Sequence, residues 1–280
     1  MAQAAKIWFV TGISRGLGKA IAEAALERGD VVIGTTRDGT SDIATQSGRL
    51  HVLPLDVTQR EAARATVAAA HALHGRLDVV VNNAGFGLLG AVEEATDEET
   101  RDVFAVNFFG TLHVTQAALP LLRAQGHGHI VNITSIAGLA PMAGSGLYAA
   151  AKFAVEGMSQ SLAEEVRPLG IRVTIVEPGA FRTDFLSDRS IRHTGSKIEA
   201  YDQTSGKAAR HLAEIAGKQL GDPVLGARAI LRAVDAPVPP LHLVLGSDAL
   251  RRTRVKIEQL SRELDAWQDV ATSTDFSGTA

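Results

Sequence analysis

The stretch I7-W-F-V-T-G-I-S-R-G-L-G18 decides the fold. Ile7–Val10 reads as a β-strand, and a helical pattern starts at Leu17 and runs to Arg28. Between them lies a turn with three glycines. A strand, a glycine-rich turn and a helix, in that order, form a setting for a dinucleotide pyrophosphate. Glycine lets the backbone approach phosphate closely, and the helix N-terminus offers free N–H groups and the positive end of its dipole. The spacing is GxxxGxG rather than the commoner GxGxxG. A plain strand-to-helix turn also favours glycine, although it rarely needs three.

Outward from this stretch the pattern alternates. Strands are expected at Val31–Thr35, Leu50–Leu55, Leu77–Val81, His129–Thr134, Ile171–Val176 and Leu241–Leu245, seven with the first. Helices are expected over Gln59–Leu73, Glu99–Arg123 and Tyr148–Val166, the last ended by Pro168. The run L77-D-V-V-V81 scarcely alternates, as expected of a strand covered on both faces. Strands alternating with helices predict an α/β, Rossmann-like, doubly wound parallel sheet with helices on both faces. No domain boundary interrupts it, so residues 1–270 are expected to form one domain. The tail from about residue 271 to 280 has little to bury and is expected to be disordered.

Composition fits such a domain, with 45% apolar and 21% charged residues. The net charge of −3 gives no reason to expect nucleic acid or an acidic membrane as partner. The chain has no cysteine, which excludes disulfides and thiolate chemistry and fits a reducing cytoplasm, the expected location. No apolar run approaches the roughly 20 residues of a membrane span, and the N-terminal run is too short for a signal-peptide core.

The second strand bears on cofactor type. An acidic residue near its end would hold the ribose 2′-hydroxyl of NAD, whereas a basic one accommodates the 2′-phosphate of NADP. Here Thr36 and Arg37 stand in that region, and Arg15 in the glycine turn is a second cation for the same phosphate. NADP(H) is therefore the preferred cofactor. Asp38 keeps NAD(H) open if the strand ends one or two residues later.

Only two tyrosines occur, and one of them, Tyr148, stands four residues before Lys152. On a helix the two share a face. A phenol near pKa 10 is a poor acid or base at neutral pH, and a nearby ammonium would bring it down into a usable range. An ordinary half-buried tyrosine beside a solvated lysine has the same spacing. Ser135, at the end of the strand before this helix, belongs to the carboxyl edge where open α/β sheets bind ligands.

Taken in order over about Lys6–Thr183, these motifs resemble the short-chain dehydrogenase/reductase family, in its compact single-domain branch. Gly12, Ser14, Arg15, Gly16, Leu17 and Gly18 stand where the family's glycine motif does. Asp56-Val57 is similar to its adenine-contacting pair, and N82-N-A-G85, with Asn83, Ala84 and Gly85, to the motif that lines the cofactor. Asn107, Ser135, Tyr148 and Lys152 resemble its catalytic tetrad. The segment from Pro178 and Gly179 through Phe181 to Thr183 resembles the one that closes on the nicotinamide. The resemblance implies hydride transfer between NADP(H) and a ketone, aldehyde or alcohol. Ser135 would polarise the substrate oxygen and Tyr148 would exchange its proton. Lys152 would lower the phenol pKa and hold the ribose, and Asn107 would hold a water linking Lys152 to solvent.

The resemblance also implies that about residues 182–221 cover the substrate, and that the two longest helices build a homodimer or homotetramer interface. Phe181, Phe185, Leu186, Met142 and Leu88 are candidate walls of an apolar pocket for a lipophilic small molecule; the motif style looks most like a hydroxysteroid-dehydrogenase-like branch. His127 and His129 alternate as ligands might, but lack converging partners, so no metal is expected. R251-R-T-R-V-K256 reads as a solvated basic helix face. Two other readings keep the fold: a nucleotide-sensing regulator without turnover, and an epimerase or dehydratase.

Overall fold

A computed structural model describes residues 5–44, 48–187 and 189–276. The opening strand is β1 (Ile7–Thr11), followed by α1 (Gly16–Glu27), β2 (Val31–Thr36), β3 (Leu50–Pro54), α2 (Arg60–His74) and β4 (Val79–Asn82). Next come β5 (Gly87–Leu89), α3 (Asp97–Phe104), α4 (Thr111–Gln125), β6 (Gly128–Ile133), α5 (Gly146–Val166) and β7 (Ile171–Pro178). The remainder is β8 (Ile191–His193), α6 (Lys207–Ile215), α7 (Pro223–Asp235), β9 (His242–Leu245), α8 (Ser247–Ala266) and α9 (Gln268–Thr272).

Seven strands form one sheet in the order β3-β2-β1-β4-β6-β7-β9, and every neighbouring pair is parallel. This is the expected doubly wound α/β sheet in a single domain. Successive side chains of β1 explain why both faces must be apolar. Trp8 and Val10 enter the layer shared with Ile21 of α1 and Ile230 of α7. Ile7 and Phe9 enter the opposite layer with Val67 of α2, Val114 of α4 and Leu162 of α5. Trp8 keeps a polar partner in the core by donating its indole N–H to Asp30 at 2.8 Å.

The expected long helix over Glu99–Arg123 is in fact two. Between α3 and α4, residues Ala105–Gly110 widen into a π-turn around Asn107, whose side chain leaves the helix to bond the chain at Phe86. Thr111 donates its hydroxyl to the Asn107 carbonyl, and Gly110 leaves room for Val57, whose Cγ2 would lie 2.6 Å from an added Cβ. Such turns are rare and concentrate at functional sites. α3 itself begins earlier than expected, at Asp97, because Thr96 and Glu99 form a capping box.

The region of about residues 182–221, expected to cover the substrate, contains β8 and α6. β8 pairs in parallel with β5 in a separate two-stranded sheet, which ties the late segment to the residues following β4. Where a structureless tail was expected, α9 runs to Thr272; residues 277–280 lie outside the described set. Among the described residues, no helix is long and apolar enough to cross a membrane.

Candidate active site

The glycine turn is built for close approach. Gly12 and Gly16 have φ of +73° and +63°, backbone that side-chain-bearing residues rarely adopt. A Cβ on Gly18 would lie 2.2 Å from Asn83 Nδ2 and 2.5 Å from the Gly12 carbonyl oxygen. The same asparagine ties the turn to the end of β4. Its Nδ2 donates to the carbonyls of Thr11 and Gly12, both at 3.0 Å, while Thr11 Oγ1 accepts the N–H groups of Asn83 and Ala84. No side chain caps the start of α1, where Arg15 is extended, so its first N–H groups remain available. This donor set fits a pyrophosphate.

The turn lines a cleft of about 590 Å³, a size suited to a small ligand. Gly12, Ser14, Gly16 and Leu17 line it, as do Thr36, Arg37, Asp56 and Val57. Asp38 does not. Its Oδ1 caps its own turn, accepting the Thr40 N–H at 3.1 Å and the Thr36 hydroxyl at 3.0 Å, and these bonds hold its carboxyl below the usual range. Arg15 departs from expectation. Although it lines the cleft, its Nε donates to Ser190 Oγ at 2.8 Å and an Nη to the Arg189 carbonyl at 2.7 Å. The segment leading into β8 supplies these acceptors, so the cation is shared between the cleft and its cover.

Ser135, Tyr148 and Lys152 line the same cleft. Ser135 caps the short turn after β6, with Oγ accepting the Ala137 N–H at 3.1 Å. Tyr148 is buried, its ring 6.1 Å from that of Phe185. Burial pushes its phenol up to about 12, and a hydrogen bond with Ser135 offsets part of this. Lys152 is also buried; burial pulls it down to about 8, against the attraction of Glu156. Burial outweighs the lysine, whose Nζ lies 5.8 Å from the ring centroid and donates to the Ile133 carbonyl at 2.9 Å.

Asn107 is fully buried, but its amide is not turned to Lys152. Nδ2 donates to the Phe86 carbonyl at 2.8 Å and Oδ1 accepts the Phe86 N–H at 3.0 Å. Gly85 passes between the two residues: a Cβ there would lie 2.9 Å from Asn107 Oδ1 and 3.6 Å from Lys152 Nζ. The Asn107 side chain thus grips the loop after β4.

Pro178, Gly179, Phe181 and Thr183 line the cleft, together with Phe185, Leu186 and Met142. Phe181 also packs on α7, where a Cβ on Gly226 would meet its ring at 2.6 Å. Leu88 is a correction. It is not part of the wall but is buried behind it with Val103, Ala137 and Tyr148. The histidines diverge too: His129 is buried with Nε2 2.9 Å from Thr174 Oγ1, whereas His127 lies beside Gln125.

Sequence reasoning missed Asp248 and Arg252 of α8, both of which line the cleft. Asp248 accepts the Ala180 N–H at 3.0 Å, and Arg252 donates to the Ala140 carbonyl, so this helix is not only a solvated basic face. The signal was present. G246-S-D-A-L250 follows the last strand of the sheet, at the edge where such folds bind ligands.

Comparison with known proteins follows the same outline. A family model described as short chain dehydrogenase matches residues 6–193. The 3-ketodihydrosphingosine reductase of Bacteroides thetaiotaomicron is 37% identical over 241 residues, covering 86% of this chain and 88% of that protein. A solved short-chain dehydrogenase from Streptomyces avermitilis superposes with a TM-score of 0.90 at 42% identity, covering 98% of this chain and all of the other. The structure of ElxO with NADP bound superposes with a TM-score of 0.73 at 26% identity, over 88% of this chain and 99% of that one. The glycine turn, the parallel sheet and the extent of these matches agree: this chain belongs to the short chain dehydrogenase family.

Proposed function

We propose that this oxidoreductase interconverts a ketone or aldehyde and an alcohol, with NADP(H) preferred over NAD(H). The observation that carries the reading is that Ser135, Tyr148 and Lys152 line the same cleft as the glycine turn. A bound nicotinamide would supply or accept the hydride. The protein's own groups do the rest. Ser135 Oγ accepts the Ala137 N–H, and its hydroxyl proton, turned to Tyr148 in this structure, would donate to a substrate oxygen and steady the charge that develops there. Tyr148, with its phenol pushed up to about 12, is protonated at neutral pH and suited to give that oxygen its proton in the direction of reduction. The Lys152 ammonium would then face the phenolate that remains.

NADP preference is supported by Arg37 in the cleft wall, by the self-contained turn that occupies Asp38, and by the NADP bound to ElxO. A lipophilic carbonyl suits the wall of Phe185, Leu186, Met142 and Leu212, in keeping with the keto-lipid reductase among the relatives. Phe109 and Phe153, 46% and 44% exposed beside the Asn107 turn and on α5, support assembly into a homo-oligomer.

The test is loss of reduced-cofactor absorbance with a panel of ketones and aldehydes, NADPH and NADH side by side, and Tyr148→Phe as control. NADPH-dependent turnover that vanishes in the variant is expected. Turnover that survives in Tyr148→Phe would sink the proton-transfer role. Tight NADPH binding without turnover on any carbonyl would favour a sensor.

A further inference from the structure

Three residues far apart in sequence converge at the end of the sheet beyond Lys152. Glu156 stands on α5, Glu177 on β7 and His242 on the edge strand β9. Their nearest donor atoms all lie within 4.8 Å of one another. His242 Nδ1 is 2.6 Å from Glu177 Oε1 and 3.8 Å from Glu156 Oε2. Glu156 is 2% exposed and Glu177 0%, whereas the His242 side chain is 39% exposed.

The carboxylates are poorly served by the protein. Both oxygens of Glu156 and Oε2 of Glu177 are buried without a hydrogen-bond partner. Thr134 lies against Glu156 but gives its hydroxyl proton to the Val176 carbonyl at 2.9 Å. Lys152, one helical turn away, gives its ammonium to Ile133. Burial pushes Glu177 up to about 8 against the backbone N–H groups of Leu243 and Glu177, and Glu156 up to about 7, with the Glu177 charge adding to burial and Thr134, His242 and Lys152 opposing it. Buried polar atoms are nearly always paired, and uncompensated buried charge is costly.

We propose that Glu156, Glu177 and His242 form a site for a divalent cation of the zinc or manganese class. Two carboxylates and an imidazole are a donor set such ions favour. With bonds of about 2.1 Å, donors on one centre stand about 3.0–3.4 Å apart; the separations of 2.6 and 3.8 Å bracket that value. The half-exposed imidazole on an edge strand gives the ion a way in. The ion would tie α5, which carries Tyr148 and Lys152, to two strands of the sheet. Its position one turn beyond Lys152 makes that role positional rather than catalytic.

The test needs no substrate, so its failure and that of the proposed reaction are distinguishable. Chelator-treated full-length protein is titrated with zinc chloride and manganese chloride by calorimetry, and its melting temperature is followed. Cobalt(II) serves as a spectroscopic stand-in. Saturable binding of one equivalent is expected, with a rise in melting temperature and a visible cobalt band. At least tenfold weaker binding is expected in Glu177→Gln and in His242→Gln. The His242 change, at a half-exposed position, keeps the test open if the buried substitution does not fold. Absence of saturable binding would overturn the site in favour of a shared proton. Binding unchanged in His242→Gln would place the ion elsewhere and overturn it equally.

Discussion

The amide of Asn107 grips both backbone groups of one residue, Phe86: Nδ2 meets the carbonyl at 2.8 Å and Oδ1 meets the N–H at 3.0 Å. The π-turn that places Asn107 there is also what splits the long helix. The loop after β4 is thereby held at the height of Lys152. The Phe86 ring, 4.3 Å beneath the Arg192 guanidinium, links this loop to the cover.

Removing that grip should be costly. Asn107→Ala would leave the Phe86 N–H and carbonyl unpaired beside a buried gap. A loss of about 2–4 kcal/mol in unfolding free energy is expected from two orphaned groups, with turnover falling as Gly85 shifts. Urea titration of the variant against the wild type measures it; an unchanged midpoint would contradict the role.

Arg37 lines the cleft, and the proposed NADP preference assigns the 2′-phosphate to it. Arg37→Ala should weaken NADPH binding by roughly tenfold or more, the scale of one charge-assisted hydrogen bond, and leave NADH nearly unaffected. Fluorescence titration with both cofactors reads the difference. An equal loss for the two would refute the assignment.

Cofactor capture should depend on pH through Lys152. Its pKa is pulled down to about 8, so the ammonium present at neutral pH is lost as pH rises through 8. The kcat/KM for NADPH, which reports ionisations of the free enzyme, should fall about tenfold per pH unit above that point. In Lys152→Arg, whose charge persists, the falling limb should disappear even if the maximum rate is lower. A wild-type profile flat to pH 10 would rule this out.

His129 should make the fold acid-sensitive. Burial, aided by the nearby Arg172 and Lys6 charges, lowers its pKa from 6.5 to about 4. The Thr174 hydroxyl donates to the Pro240 carbonyl, so it can only accept from His129 Nε2–H. Above pH 6.5 both folded and unfolded chains keep this ring neutral. Between 6.5 and 4 the unfolded chain takes a proton that the folded one refuses, so stability is lost as pH falls, by about 3 kcal/mol in total. His129→Gln should remove that slope when urea unfolding is compared at pH 7 and pH 4.5.

The sheet was largely legible because its strands are short apolar runs between glycine turns and helical stretches, and both faces of β1 need cover. The turn, Ser135 and the Tyr148–Lys152 pair were legible for a related reason, since local spacing places them on shared faces or edges. What escaped depends on distance. The π-turn at Asn107 lies inside a pattern that is helical on either side, and only Phe86 in space breaks it. The three-residue pairing of β5 with β8 joins segments about a hundred residues apart. The target of Arg15, the reach of α8 and the meeting of Glu156, Glu177 and His242 arise from packing that no local window contains.

β1, which precedes the other strands of the sheet in the chain, stands in its middle. β1 finds β2 soon after synthesis, but its other edge waits for β4, with Trp8 pairing to Val79. Until then the nascent chain carries an open edge, with only α1 and α2 available to cover its apolar faces, a condition that favours wrong association. Assembly from both flanks makes closure non-local and slow. The yield of folded protein is therefore decided by a race between the emergence of Val79–Asn82 and collisions with neighbouring chains, and dilution or a chaperone that shields Ile7–Thr11 should tilt that race.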